Sequence, residues 1–387
     1  MSIRTSFDYA KRNRRSRTAI RTTPKRRRAP YRAVAAVAVS ALTALLASAC
    51  GGSSSSTSTA ATGQPDYAFF KGQTIHITVT NAPGTSSAAE INSIEPYLSK
   101  YLNAKIDITY DTSPINVGND VVAGQSNSGL FLGVTDLTAA VIDPIYGQPE
   151  TFKSNELSYV GGTADGIHAI VACAKAPFQS AEDLISGKNQ VNAPLVYPGE
   201  SYLASMMFLR AYNVPTKILP GYTGQTSFPA CETGQGNFDT SLILQVTDSA
   251  GTATVPGLKP LLLSGKLGPD NPQKYLNSQI PTIAEFAQSH VPTTAQGKQA
   301  LNLAVSILSS SYPNEVLFGP KGIPADRLLA LTDAMQKAEA QTGATSVLAH
   351  NAMPPGFFGP AAIVAKINQI TGSQKLITSL AGPPPSS

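Results

Sequence analysis

Residues 74–102 read TIHITVTNAPGTSSAAEINSIEPYLSKYL. The first seven alternate apolar and polar, the period of a half-buried strand, and the run from residue 88 onward reads as a helix. Between them lies a Pro-Gly-Thr-Ser-Ser turn. A strand that ends in Pro-Gly and re-enters a helix leaves the first helical amides without intrahelical partners. Gly84 lets the backbone come close to a ligand, and Thr85, Ser86 and Ser87 supply hydroxyls. One serine can cap the helix and close the account locally. Alternatively the free N–H groups and the helix dipole form a cradle for a carboxylate or phosphate.

The motif recurs. Residues 132–140, LGVTDLTAA, pass from a strand through a polar turn into a helix. Residues 196–207, VYPGESYLASMM, do the same through Pro-Gly, with Ser201 opening the helix. Further strand-like runs fall at 105–111, 130–134, 169–173, 193–197 and 258–263, and helical runs at 180–186, 201–213 and 325–341. Strands alternating with helices predict α/β units with largely parallel sheets. Ligand sites in such sheets lie beyond the carboxyl ends of strands, so three polar strand-to-helix turns point to one shared cleft.

The N-terminus sets the compartment. Residues 1–32 carry 12 Lys and Arg against the single acid Asp8, residues 33–49 are uncharged and mostly apolar, and Cys50 follows directly after Ala-Ser-Ala. A basic region, a short apolar region and a small-residue site predict an export signal over residues 1–49. The stretch before Cys50 resembles a bacterial lipoprotein cleavage box, with Ala47 where Leu is usual. Cys50 is therefore the expected lipidation site, and residues 50–67, rich in Ser and Thr, the expected tether. A plain membrane anchor is the competing reading, since 17 residues sit at the lower limit of a span.

Without that leader the charge reverses. The whole chain carries 29 Lys and Arg against 24 Asp and Glu; taking away the leader's 12 and one leaves 17 against 23, a net −6. Nucleic acid is thereby excluded as the expected partner. Cys173 and Cys231 form an even pair outside the cell, either bridged or buried as free thiols. The four histidines, His76, His168, His290 and His350, are scattered without metal-ligand spacing. The chain has no GxSxG, GxGxxG or Walker loop, and no base can be assigned to Ser86 or Ser87. No enzyme, cofactor or metal is expected.

Seven blocks in order carry a family likeness: 70–90, 113–136, 177–185, 196–208, 219–228, 258–266 with IPTIAEF at 280–286, and VLFGPKGIPADRLLALTDAMQKA at 316–338. The chain resembles the extracytoplasmic solute-binding proteins of tripartite tricarboxylate transporters, the TctC or Bug family. The resemblance implies an α/β, two-lobed type II periplasmic-binding (Venus flytrap) fold with two mixed, largely parallel sheets and an interlobe cleft. Lobe 1 is expected at 68–172 and 305–387, and lobe 2 at 173–304. By position, lobe 1 would hold ligand through Pro83, Gly84, Thr85, Ser86, Ser87, Val134, Thr135 and Asp136. Lobe 2 would contribute Gly199, Glu200, Ser201, Tyr222, Thr223 and Gly224. Three positions depart from the family pattern: Gly84-Thr85 stands for Gly-Gly, Ala88 for Asp, and Ser128-Gly129 for Asp-Gly. Glu200 sits where an anion would be repelled unless its side chain turns away.

The expected function is a lipid-anchored receptor on the extracytoplasmic face of the cell membrane. It captures a small organic acid, a di- or tricarboxylate, for integral-membrane permease subunits. A ligand sensor of the same fold, acting on a signalling partner, is the alternative, and an envelope hydrolase lacks its nucleophile and base. Replacing Cys50 by Ala should release the protein from the membrane fraction or block its maturation. Fractionation and gel migration check this, and unchanged partitioning and migration would remove the lipoprotein assignment.

Overall fold

The computed structural model describes residues 63–381 apart from 81–85, 112–113, 124–126, 143–151, 165, 196–199, 223–225, 248–252, 255, 309–312, 314 and 355. The expected leader, Cys50 and the tether up to residue 62 lie outside the described residues.

In chain order the elements are α1 (Tyr67–Phe70), β1 (Thr74–Thr80), α2 (Ser86–Leu102), β2 (Lys105–Asp111), α3 (Pro114–Ala123), β3 (Phe131–Asp136), α4 (Leu137–Ile142), β4 (Ser158–Thr163), β5 (His168–Ala172), α5 (Ala181–Ile185), β6 (Val191–Ala193) and α6 (Glu200–Ala211). There follow β7 (Thr216–Ile218), α7 (Ser227–Thr233), β8 (Phe238–Leu242), α8 (Ile243–Val246), β9 (Lys259–Leu263), α9 (Ile283–Ser289), α10 (Ala295–Leu308), β10 (Glu315–Gly319), α11 (Ala325–Glu339), α12 (Thr342–His350), α13 (Pro360–Gly372) and α14 (Gln374–Ala381).

The alternation of β1 is a burial pattern. Ile75, Ile77 and Val79 are at most 1% exposed and pack with Ile91, Ile94, Leu98 and Leu102 of α2 and with Ala330, Leu331, Ala334 and Met335 of α11. Each such aliphatic side chain removed from water is worth about 1.5–3 kcal/mol. The other face of the same sheet carries Val117 and Val121 of α3, Leu137 and Val141 of α4, and Ile363 and Ile367 of α13. The strand order is β2-β1-β3-β10-β4. β1 pairs in parallel with both β2 and β3, whereas β10 runs antiparallel to β3 and β4.

Two further sheets complete the described chain: a three-stranded one, β8-β5-β9, antiparallel at both pairings, and a short parallel pair, β6-β7. The pairing is therefore more mixed than the alternation of strands and helices suggests. The reason is topological. β10 enters its sheet at the end where β3 and β4 finish, because Glu315 pairs with both Asp136 and Thr163, and a strand entering at that end must run backwards.

Sheet membership changes between Thr163 and His168, since β5 is the central strand of the three-stranded sheet. Likewise α10 runs unbroken through the boundary expected at 304/305 and packs on α6. The last helix, α14, also packs on α6, where Arg210 Nε donates to the Leu380 carbonyl at 3.3 Å. Backbone pairing partners decide sheet membership, and local pattern does not reveal them. The strand crossing is braced by the 352–358 segment: Ile167 N–H donates to Ala352 O at 2.8 Å, and Gly162 and Phe358 exchange two backbone bonds.

The Pro-Thr-x-x-Glu run at 281–285 has a plain mechanical role. Thr282 caps α9 by accepting from Glu285 N–H, and the Glu285 carboxylate accepts from Thr282 N–H, which makes a capping box. The Lys266 ammonium lies 2.8 Å from that carboxylate and, with the helix-end bonds, holds it down at a pKa of about 2.

Two carboxyls are buried deeply. Glu339, at the end of α11, is 3% exposed, and neither of its oxygens has a hydrogen-bond partner among the described residues. Burial raises its pKa to about 8. Asp239 on β8 is 1% exposed, and burial raises it to about 6 against the bonds it accepts from Ser241 Oγ and Thr240 N–H. Both folded values lie above the unfolded ones. Their stabilising effect is complete below about pH 4 and is lost as pH rises towards 6 for Asp239 and 8 for Glu339. Glu339→Gln should therefore be more stable than the parent at pH 8, by on the order of a few kcal/mol, and about equal at pH 4.5. Thermal unfolding across that range checks it, and parallel profiles for the two proteins would refute it.

Candidate functional site

The order β2-β1-β3 contains a reversal. The chain leaves β1 through α2 to reach β2 on one side, then returns through α3 to β3 on the other. α2 covers one face of the sheet and α3 the opposite face. The crevice between the carboxyl ends of β1 and β3 is thus a topological switch point, the place where open α/β sheets bind ligands. The sequence puts its candidate residues there: the turn before α2 and the Val134–Asp136 end of β3.

The side chains at this edge are mostly polar and engaged with one another. Thr80 and Thr135, at the adjoining ends of β1 and β3, are at most 2% exposed, and Thr80 Oγ1 donates to Thr135 Oγ1 at 3.0 Å. Ser87, in the first turn of α2, is 1% exposed and donates through Oγ to Glu315 Oε2 at 2.6 Å. Glu315 is itself buried, and in register it is flanked by Asp136 and Thr163.

These contacts separate the candidate residues by role. Val134 is buried in the core, so only its backbone is left for a ligand. The Ser87 hydroxyl is committed to Glu315 and points into the sheet; what it leaves at the helix end is its N–H. Ala88 is fully buried, so no side chain there reaches the cleft. Asp136 is half-buried at the strand end, and Ser86 opens α2. Pro83, Gly84 and Thr85 lie outside the described residues.

In the second half, β6 and β7 are parallel, so the chain leaves both at the same end. Leu219 N–H donates to Ala193 O at 2.9 Å and joins the two exits. Glu200 and Ser201 begin α6, with Ser201 half-buried. Tyr222 is half-buried and donates through its hydroxyl to Gln235 Oε1 at 3.1 Å. Gly199, Thr223 and Gly224 lie outside the described residues. Cys173 and Cys231, both fully buried, are bridged by a disulfide with Cα atoms 5.0 Å apart. That selects between the two readings of the pair left open by sequence.

Nothing in the local pattern singled out Glu315, a lone acid opening the apolar strand β10 and belonging to no motif. Nor did it point to Thr80 or Gln235. The stretches 83–87, 134–136, 199–201 and 222–224 contain no Lys, Arg or His. A ligand anion there would rest on backbone N–H groups, hydroxyls and the helix dipole alone. The histidines lie elsewhere: His76 pairs with Asp107 and stacks on Phe131, and His290 stacks on Phe286. Among the described residues no group of three His, Cys, Asp or Glu could hold a metal ion, and no helix is long and apolar enough to cross a membrane.

The chain has the fold of the TctC/Bug solute-binding proteins, a two-lobed type II periplasmic-binding architecture. MatC from Rhodopseudomonas palustris, solved with bound malate, matches with a TM-score of 0.58 at 15% identity, over 79% of this chain and 99% of its own. The periplasmic binding protein BugD matches at 0.60 and 14% identity, over 80% and 98%. An R. palustris protein solved with adipate matches at 0.57 and 15%, over 80% and 97%. No protein-family model and no curated protein matches the sequence.

Ser87→Ala should lower stability by about 1–3 kcal/mol, because it leaves a buried carboxylate oxygen of Glu315 short of a donor. Glu315→Gln, which keeps an acceptor, should cost less. Denaturant unfolding of the two variants checks the order.

Proposed function

We propose that this protein is an extracytoplasmic solute receptor, tethered to the membrane through a lipid on Cys50, that captures a small organic acid for integral-membrane permease subunits. The observation that carries the reading is the switch point: α2 begins at the paired ends of β1 and β3. The malate- and adipate-bound proteins of the same fold support a carboxylate as the ligand class.

In this reading residues 68–163 and 315–372 form lobe 1, and residues 168–308 with α14 form lobe 2. Lobe 1 offers the amides of residues 84–87, with Pro83 shaping the turn, and the end of β3. Lobe 2 offers the start of α6 and the Tyr222–Gly224 loop. Hinge closure brings them onto the ligand and excludes water. Several neutral hydrogen bonds at ~0.5–1.5 kcal/mol each, with the water displaced, suffice for micromolar binding, which needs about −8 kcal/mol.

Purified protein should be melted in the presence of malate, adipate, citrate and their amides. A bound acid at roughly a hundred times its Kd adds about 2.7 kcal/mol to the native state, a shift of several degrees. A shift with an acid and none with its amide supports the reading. Shifts only with neutral compounds, or none with any acid, would sink it.

A further inference from the structure

The parallel pair β6–β7 has only three residues in each strand, and its ladder is separate from that of the three-stranded sheet. So small a ladder cannot hold its own orientation. Yet both candidate loops of the second half hang from it, Gly199–Ser201 after β6 and Tyr222–Gly224 after β7. Val191, Ala193 and Leu195 seat it in the core, and the segment Cys231–Asn237 braces it by hydrogen bonds.

Asn237 bonds to β6 and the residue before it by three contacts. Its N–H donates to Asn192 O at 3.0 Å, its Oδ1 accepts from Asn192 N–H at 2.7 Å, and its Nδ2 donates to Gln190 O at 2.8 Å. Its own carbonyl accepts from Cys173 N–H at 3.1 Å, which places it at the end of β5. The side chain therefore completes a backbone pairing that two strands in different sheets cannot make directly. Gly236 permits this approach: a Cβ there would sit 2.5 Å from Pro194 Cδ, and Pro194 is the first residue beyond β6.

Gln235, one residue earlier, receives the Tyr222 hydroxyl and so ties in the second loop. Gly234 ends α7 in the left-handed conformation at φ 73°, which aims the chain at this junction. The disulfide at Cys231 anchors α7 to the residue after β5. One seven-residue stretch thus touches the sheet, the root of one loop and the body of the other.

We propose that Asn237 is a positioning residue that holds β6, and with Gln235 the described residue Tyr222, in place at the end of β5, with Gly236 and the Cys173–Cys231 bridge seating it. What the loops hold rests on the function proposed above; the bracing does not.

The test uses Asn237→Ala, Asn237→Asp and Gln235→Ala in the purified protein, read by peptide-resolved deuterium exchange and by melting with malate and adipate. In Asn237→Ala, peptides over 190–195 and the first turn of α6 should exchange roughly tenfold faster or more, with β1 and α2 unchanged. Asn237→Asp keeps the acceptor for Asn192 N–H and should be intermediate. Gln235→Ala should loosen 219–222 alone. Parental exchange at 190–195 in Asn237→Ala would overturn the proposal, as would a uniform loss of protection across the chain. Should Asn237→Ala fail to fold, parental exchange in both other variants would overturn it instead. Where malate or adipate binds the parent, its Kd should rise roughly tenfold in Asn237→Ala, a loss of about 1.4 kcal/mol; an unchanged Kd would count against the proposal. If neither acid binds the parent, the solute reading fails while the exchange result still decides the role of Asn237.

Discussion

β1 is hydrogen-bonded along both edges by strands that arrive from opposite sides of its sheet, and most of the molecule follows from that constraint. The strand needs apolar side chains towards α2, and Ile75, Ile77 and Val79 meet the requirement. The two returning connections must then lie on opposite faces. That leaves a gap at the carboxyl ends where neither helix covers the sheet. The polar residues Thr80, Thr135, Asp136 and Glu315 collect at this end, and the buried ones are satisfied within the protein, Thr80 by Thr135 and Glu315 by Ser87. The adjoining positions one step back, Val79 and Val134, are core.

The sequence made the first half of this legible. Strict alternation delimits β1 and β2 at the same residues in pattern and in structure, and the punctuation by Pro-Gly marks where α2 begins. What local pattern could not supply was pairing. β4 reads as SYVGGT, with two glycines where packing leaves no room for a side chain, and β-propensity does not favour it. β10 is short and runs backwards. β5 lies only a few residues from a strand of another sheet. For these elements the hydrogen-bonding partner lies far away in the chain, and nothing in the local pattern names it.

The candidate site was legible in outline and not in role. The turns were proposed from the order of strand, Pro-Gly or Gly-Val-Thr-Asp turn, and helix. Position alone made Ser87 and Val134 ligand contacts, yet burial turns one towards Glu315 and the other into the core. A hydroxyl close behind a buried acid has a partner before any ligand arrives. This distinction depends on a residue more than two hundred positions later. The Asn237 brace was invisible for a related reason, since its side chain replaces a backbone ladder whose absence only the assembled sheets reveal.

The return of α14 to α6 has a consequence for how the chain is made. The Leu380 carbonyl meets Arg210 across a separation of 170 residues, and Ile377 is fully buried in the same cluster as the α6 core. Until α14 is made, α6 lacks part of its cover. Long-range closure of this kind delays completion of the native state. A chain cut back before α14 would therefore leave part of the apolar surface of α6 open to water.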